Sequence, residues 1–218
     1  MPTRADVRRD LEGVSAAHDR LLRRLTQVFD TEPDVLRPER TSLLPGWTVG
    51  HVLTHLARNA DSHVDMLAGR PQYPDAAHRD TAIARGARRS TDELLADLAS
   101  SIAGLAQAWA SHDSWDHSVR TASGPRPAAQ TPLLRWREVE WHTVDLDIGV
   151  DPADIDQSYL RVELRLQEMI WRSRRTIGLT PLPAELLAEP PYRRAAWFLG
   201  RYNPPHLDHL SAASFSPT

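Results

Sequence analysis

Apolar residues recur at helical spacing in four long stretches of the first 149 residues. These stretches cover residues 3–30, 48–69, 90–111 and 131–149, and each begins at a serine or threonine suited to capping a helix N-terminus. The connections between them are long, especially between the second and third. The pattern therefore predicts a mainly α protein whose core is a four-helix bundle with long crossover connections, rather than a minimal up-down bundle.

Shorter elements are predicted between and after these helices. They are a short helix at residues 76–85, a hairpin or ordered loop at residues 115–130, and two further helical pieces at residues 154–175 and 192–202. We expect a bundle domain over residues 1–149 and a short, mostly helical or reduced α/β region over residues 150–218. A proline-rich segment, residues 179–191, divides the second region.

The fourth helix carries ionisable residues on the side that should face the core. At about 100° per residue, six residues fall within roughly one third of its circumference: Leu134, Glu138, Trp141, His142, Asp145 and Ile148. Burial of charged groups is costly unless they are paired or bind a metal. Glu138 and His142 are four residues apart, a spacing that projects two metal ligands together. Glu140 points to the other side and is predicted to be solvated.

The second helix supplies a histidine that matches this pair. His55 lies at the edge of its apolar face, in one column with Asn59. His51 lies one turn earlier and is rotated towards solvent, so the pair His51/His55 is an alternative that the geometry disfavours. His18 and His63 follow apolar series and are predicted to be packed core histidines.

A glutamate and a histidine at this spacing on a single helix most often form a surface ion pair, or the histidine is satisfied in a core. The matching histidine on a second helix changes that balance in favour of a metal site. The chain of 218 residues contains no cysteine, so any metal must be bound by His, Asp, Glu or water. Any sulfur chemistry then needs a thiol from outside the protein.

Charge and hydropathy narrow the class of protein further. The formal net charge is −3, and the arginines are spread among acids, which favours neither nucleic acid nor an anionic membrane as a partner. No apolar run approaches transmembrane length, and the N-terminus lacks a signal-peptide pattern. We expect a soluble cytoplasmic protein.

Two motifs carry a resemblance to a known family. Residues 46–60 read G-W-T-x-x-H-x-x-x-H-x-x-x-N-A, and residues 137–146 read R-E-x-x-x-H-x-V-D-L. Together they resemble the mycothiol-dependent maleylpyruvate isomerases, which belong to the DinB-like metal-binding four-helix bundles. The resemblance covers about residues 1–149.

The resemblance implies a zinc ion bound by His55, Glu138 and His142, and mycothiol as the thiol cofactor. Two imidazoles and one carboxylate leave an open position at zinc, where a thiol can be held as thiolate. The implied reaction is thiolate addition to a conjugated double bond of an unsaturated acid, rotation, and elimination. A mycothiol S-transferase that conjugates an electrophile is the alternative enzyme, and a non-catalytic metal-binding bundle is the alternative outside enzymes.

Three further residues are candidates for the site. Asp145 either orients a ligand imidazole or pairs with an arginine. Asn59 is a candidate for hydrogen bonding to substrate or thiol. Arg201, in Leu199-Gly-Arg-Tyr202, resembles the family's C-terminal ending, whose arginine helps to hold the substrate carboxylate; the alternative is a solvated arginine at a helix end. The family's intervening strands have no counterpart in the sequence, so we expect a different pocket wall.

Overall fold

Helices account for most of the residues that the computed structural model describes, which are residues 2–173 and 179–209. They group into two units, Met1–Val150 and Asp151–Thr218. The elements of the first unit are α1 (Arg4–Thr31), α2 (Val49–Leu67), α3 (Ala76–Gly86), α4 (Thr91–Ala110), β1 (Ser118–Thr121), β2 (Gly124–Pro127) and α5 (Thr131–Asp145).

The four long helices of the first unit form the predicted bundle. Both α1 and α2 contact α4 and α5, so α1 and α2 occupy opposite corners. Helix α3 packs on α2 within the long connection to α4, and the antiparallel hairpin β1–β2 also lies against α2. There Val119 is buried together with Met66 and Ala128. The prediction of a mainly α bundle with long crossover connections is confirmed.

The starts of the first two amphipathic helices follow the predicted cap chemistry. At α1, Asp6 N donates to Thr3 Oγ1 at 3.2 Å and Thr3 N donates to Asp6 Oδ2 at 2.9 Å. At α2, Thr48 N donates to His51 Nδ1 at 3.3 Å. His51 is thus part of the cap of α2, and its Nδ1 is engaged there. Reciprocal bonds of this kind satisfy backbone donors that a helix start leaves unpaired.

Helix α5 differs from its predicted boundaries at both ends. Thr131 is its first residue and not its cap, because the Thr131 hydroxyl donates back to Ala128 O at 2.8 Å. The helix ends at Asp145, four residues before Gly149. Asp147 and Gly149 have φ values of 53° and 73°, a left-handed backbone that cannot continue a right-handed helix.

Burial extends almost all the way around α5, which the sequence did not predict. Besides the expected face, a second set of α5 residues is buried: Leu133, Arg135, Trp136, Val139, Glu140 and Val144. The physical reason is that α5 lies between α1 and α2 and contacts both. The prediction that Glu140 is solvated is therefore wrong. Its Oε1 accepts from Trp136 Nε1 at 2.9 Å and from Arg20 Nη2 at 2.6 Å.

The packing of α1 on α5 depends on one glycine, and this leads to a prediction. A Cβ atom at Gly13 would lie 2.2–2.5 Å from ring carbons of the buried Trp136. We expect Gly13→Ala to lower the free energy of unfolding, because overpacking costs about 1–3 kcal/mol and exceeds the helix-propensity gain of about 1 kcal/mol. At Gly104 in α4 no atom of residues 2–173 and 179–209, apart from the adjacent backbone of the helix itself, lies within 4 Å of such a Cβ. Gly104→Ala should therefore stabilise the protein by about 0.5–1 kcal/mol. Urea unfolding of both variants measures these changes. Equal changes of the same sign in the free energy of unfolding would contradict the prediction.

The second unit contains α6 (Gln157–Arg172), α7 (Ala184–Ala188) and α8 (Pro191–Phe198). Helices α6 and α8 pack through aromatic rings, with the centroids of Trp171 and Trp197 5.4 Å apart. Within residues 151–173 and 179–209 the structure has no strand, so the mostly helical alternative is the one observed. The last residues of the predicted helix 154–175 and the tail after 209 lie outside the described residues.

Arg201 lies just after α8 and is exposed. Gly200 adopts φ 70°, and Arg201 N donates to Ala196 O at 2.8 Å, which closes the C-terminus of α8. The predicted role of Arg201 in holding a carboxylate stays a prediction.

Candidate metal centre

Three predicted ligands meet on the facing sides of α2 and α5. One ligand atom from each of His55, Glu138 and His142 lies within 4.8 Å of the other two. Glu138 Oε2 is 2.7 Å from His55 Nε2 and 3.3 Å from His142 Nε2. The helical spacing of Glu138 and His142 on α5 places both beside a single histidine of α2. The structure thus brings the three side chains together, as the sequence predicted.

Asp145 lies on the far side of the His142 ring. Its Oδ2 is 2.7 Å from His142 Nδ1, so the imidazole is held between two carboxylates, one at each nitrogen. This arrangement fixes Nε2 as the nitrogen that faces the cluster. A carboxylate behind a ligating histidine is a common way to orient the ring and raise its basicity.

The pKa values of the cluster reflect burial and these contacts. Burial alone would raise the pKa of Glu138, but hydrogen bonds from His142 and His55 hold it well below its ordinary value. Burial likewise opposes protonation of His142, yet the bonds to Asp145 and Glu138 outweigh it and raise its pKa. For His55, burial dominates and lowers the pKa to about 4. The two carboxylates thus favour a positive charge on His142, whereas burial disfavours one on His55.

The donor set fits a divalent cation. Two neutral imidazoles and two carboxylates carry a net charge of −2, which one such ion balances. Nitrogen and oxygen donors from two His and one Glu are a known zinc set that leaves a position open. The Glu138 side chain is 29% exposed while His55 and His142 are more buried, so the cluster is reached from solvent on the glutamate side.

The connection before α2 forms one wall of the centre. The Trp47 ring stands edge-on to the His55 ring, with centroids 5.5 Å apart. Leu43 N donates to Asp145 O at 2.9 Å, and Arg40 Nη1 pairs with Asp147 Oδ2 at 3.0 Å. These contacts join the 37–48 connection to the end of α5. They hold Asp145 in place behind His142.

The other histidines lie outside the cluster. His18 and His63 are buried, as predicted, and both pack near Trp109 with ring centroids 6.4 Å from it.

Asn59 is also buried, but its Oδ1 accepts from Arg135 Nη1 at 2.9 Å. Its amide NH2 is the donor that would meet the substrate or thiol that the sequence suggested.

Sequence reasoning missed Arg135 and Tyr73 near the centre. Arg135 is fully buried one turn before Glu138, and Tyr73 lies on the connection between α2 and α3 with a buried hydroxyl. The buried apolar residues Leu133, Trp136 and Val139 could have indicated that the Arg135 side of α5 also faces protein. Nothing in the local pattern points to Tyr73.

Comparison with known proteins supports the resemblance carried by the motifs. The sequence profile of a family described as the mycothiol maleylpyruvate isomerase N-terminal domain matches residues 14–147. The match spans more than half of the chain. The protein belongs to the mycothiol maleylpyruvate isomerase family.

Solved structures of this family share the fold. A crystal structure of the mycothiol-dependent maleylpyruvate isomerase is 30% identical, covers 80% of this chain and 75% of its own, and superposes with a TM-score of 0.69. A histidine-to-alanine mutant of the mycothiol-dependent maleylpyruvate isomerase is 28% identical at the same TM-score and the same coverage. Comparison with curated proteins gave no match. Across residues 2–173 and 179–209, no helix is long and apolar enough to span a membrane.

Proposed function

We propose that this family member is a zinc- and thiol-dependent cis–trans isomerase that converts maleylpyruvate to fumarylpyruvate with mycothiol as the thiol. The observation that carries the proposal is the cluster of His55, Glu138 and His142, open to solvent at Glu138, in a bundle of the maleylpyruvate isomerase fold. His55, Glu138 and His142 would hold the ion. Zinc bound there would supply Lewis acidity that lowers the pKa of a thiol.

Residues around the cluster orient its ligands and limit the direction from which thiol and substrate approach. Asp145 accepts from His142 Nδ1 and keeps Nε2 turned to the cluster. Trp47 covers one side of His55 and leaves the exposed side at Glu138 as the approach for thiol and substrate. In the reaction, the thiolate sulfur adds to one carbon of the conjugated double bond. The π electrons of that bond move to the carbonyl oxygen. The bond, now single, rotates, and the returning electrons expel the sulfur to leave the trans double bond.

The stoichiometry of the thiol tests this proposal. An isomerase regenerates its thiol in every turnover, whereas an S-transferase consumes one thiol per product. With zinc-loaded protein and mycothiol at one tenth of the maleylpyruvate concentration, we expect fumarylpyruvate to exceed the added thiol many times over. Product that never exceeds the thiol would reject the isomerase in favour of the S-transferase. If no zinc-dependent reaction of either kind is detected, the result favours a non-catalytic metal-binding bundle.

Arg201 belongs to this proposal as the residue that binds the substrate carboxylate, on the strength of its sequence context alone. A guanidinium suits that task because its paired N–H groups match the two oxygens of a carboxylate.

A further inference from the structure

A groove of about 600 Å³ lies against α6 in the second unit and reaches α8. Four arginines line it, three from α6 and one from α8: Arg161, Arg165, Arg172 and Arg194. Among the described residues that line it, Glu168 is the one acid. Four guanidinium groups against one carboxylate leave an excess of three positive charges, in a volume typical of a small-molecule site.

The spacing of the α6 arginines places them on one face of the helix. At about 100° per residue, Arg161, Arg165 and Arg172 fall within roughly 40° of one another. All three are exposed. Arginines that are separated along the sequence are therefore brought into one row, which extends over about 16 Å of the helix.

The protein does not neutralise the charges in this row. Within residues 2–173 and 179–209, the guanidinium groups of Arg165 and Arg172 form neither an ion pair nor a hydrogen bond. Arg161 Nη2 donates to a neutral group, the Ser158 hydroxyl, at 2.9 Å. The row thus presents exposed cations whose N–H groups are free to donate to an anion.

Arg194 contributes to the groove from α8 and is the least exposed of its four arginines. Its Nη1 lies 3.8 Å from Glu168 Oε1, which is longer than a hydrogen bond. Its Nε is buried and has no hydrogen-bond partner in the described part of the chain. A buried donor without an acceptor is costly, so this guanidinium is held in place with donor capacity that the protein itself does not use.

The groove also has an apolar part, formed by Leu164, Met169 and Leu179. Met169 is 59% exposed and Leu179 is 69% exposed. Because both line one groove, they belong to a shared apolar patch and are not isolated exposed residues. Met169 lies between Arg165 and Arg172 along α6, so apolar and cationic contacts alternate. The matching ligand carries anionic groups on an apolar body.

We propose that this groove binds a small organic anion with at least two negative charges on an apolar body, of the aryl phosphate or aliphatic dicarboxylate type. Guanidinium groups donate paired N–H groups to the oxygens of phosphate and carboxylate alike. The groove is built from residues of the second unit and shares none with the cluster of His55, Glu138 and His142. It adds a second ligand site that does not depend on the proposed isomerase activity.

Isothermal titration calorimetry of the full chain with phenyl phosphate and with suberate tests the site. The titrations are run at low salt and pH 8, where phenyl phosphate is a dianion. Each probe is compared with an anion that has a smaller apolar part, inorganic phosphate for the first and succinate for the second. We expect these to bind at least about 10-fold more weakly than their larger counterparts. Binding of phenyl phosphate alone assigns an organophosphate, and binding of suberate alone assigns a dicarboxylate.

Three variants locate the binding. Arg165→Gln/Arg172→Gln should weaken it by about 10- to 100-fold, since charged hydrogen bonds are lost. Met169→Gln, which removes an apolar contact and no charge, should weaken it by about 3- to 10-fold. Arg8→Gln/Arg23→Gln is the matched control, because these two exposed arginines of α1 do not line the groove. It should bind like the wild type.

The outcomes are distinct because the replaced side chains are exposed and thermal unfolding of the variants should match the wild type. Failure of both phenyl phosphate and suberate to bind overturns the inference. So does equal affinity in Arg165→Gln/Arg172→Gln and the control, or inorganic phosphate and succinate binding as tightly as the larger anions. Chelator-treated protein should bind the ligand as the zinc-loaded protein does, and a loss on zinc removal would place the anion at the metal instead.

Discussion

Replacement of Glu138 or His142 by alanine should remove bound zinc. The wild type should retain about one zinc per chain after dialysis against a weak chelator, since a three-residue site with an open position is a common zinc site. Each replacement leaves two ligands, His55 on α2 and one residue on α5. We expect a loss of affinity well beyond the roughly 10- to 100-fold that changes behind a ligand cause.

Graded variants make this prediction specific. Asp145→Asn keeps the three ligands but weakens the hold on His142 Nδ1, so it should bind zinc about 10- to 100-fold more weakly. His51→Ala changes a histidine of the same helix as His55 whose Nδ1 serves the cap of α2, and it should retain zinc. Elemental analysis measures the zinc content of each variant, and competition with a chromogenic chelator measures its zinc affinity. Full zinc content in Glu138→Ala and His142→Ala would show that the cluster is not the metal site.

Contacts between residues close in sequence were mostly predicted well, and the cap expected at Thr131 is the exception. The caps at Thr3 and Ser90 follow from side chains three residues apart, and the cluster follows from the four-residue spacing of Glu138 and His142. Such spacings fix geometry within one helical turn whatever the rest of the chain does. The choice of His55 over His51 rested on the position of each residue around α2.

Residues whose surroundings come from distant parts of the chain were predicted poorly. Glu140 was assigned to solvent because α5 was treated as a helix with one buried face, whereas Arg20 of α1 covers its other side. Arg135 is buried for the same reason. Tyr73 lies on a connection whose path is set by the hairpin: Gln72 N donates to Arg120 O at 2.8 Å. None of these contacts has a local sequence signature.

His18 and His63 should make the protein sensitive to mild acid. Burial lowers the pKa of His18 to about 2 and that of His63 to about 3, and the positive charge of Arg135 adds to both shifts. Since each folded-state pKa lies below the ordinary value of about 6.5, the unfolded chain binds a proton that the native protein excludes. The stabilisation is therefore complete above pH 6.5 and is lost as the pH falls below it.

The expected effect is large because two histidines act together. Each should lower the free energy of unfolding by about 1.4 kcal/mol per pH unit below pH 6.5, so the pair removes about 4 kcal/mol between pH 7 and pH 5. Protonation of His18 is costly in a further sense, since Arg135 Nε already donates to its Nε2 at 3.1 Å. Urea unfolding from pH 7.5 to 4.5, with chelator present, should show a much flatter profile for His18→Gln/His63→Gln than for the wild type. The comparison isolates these two residues, because the acids and the metal cluster titrate alike in both proteins. The same slope in both would show that the protonation of His18 and His63 is not what limits stability in acid.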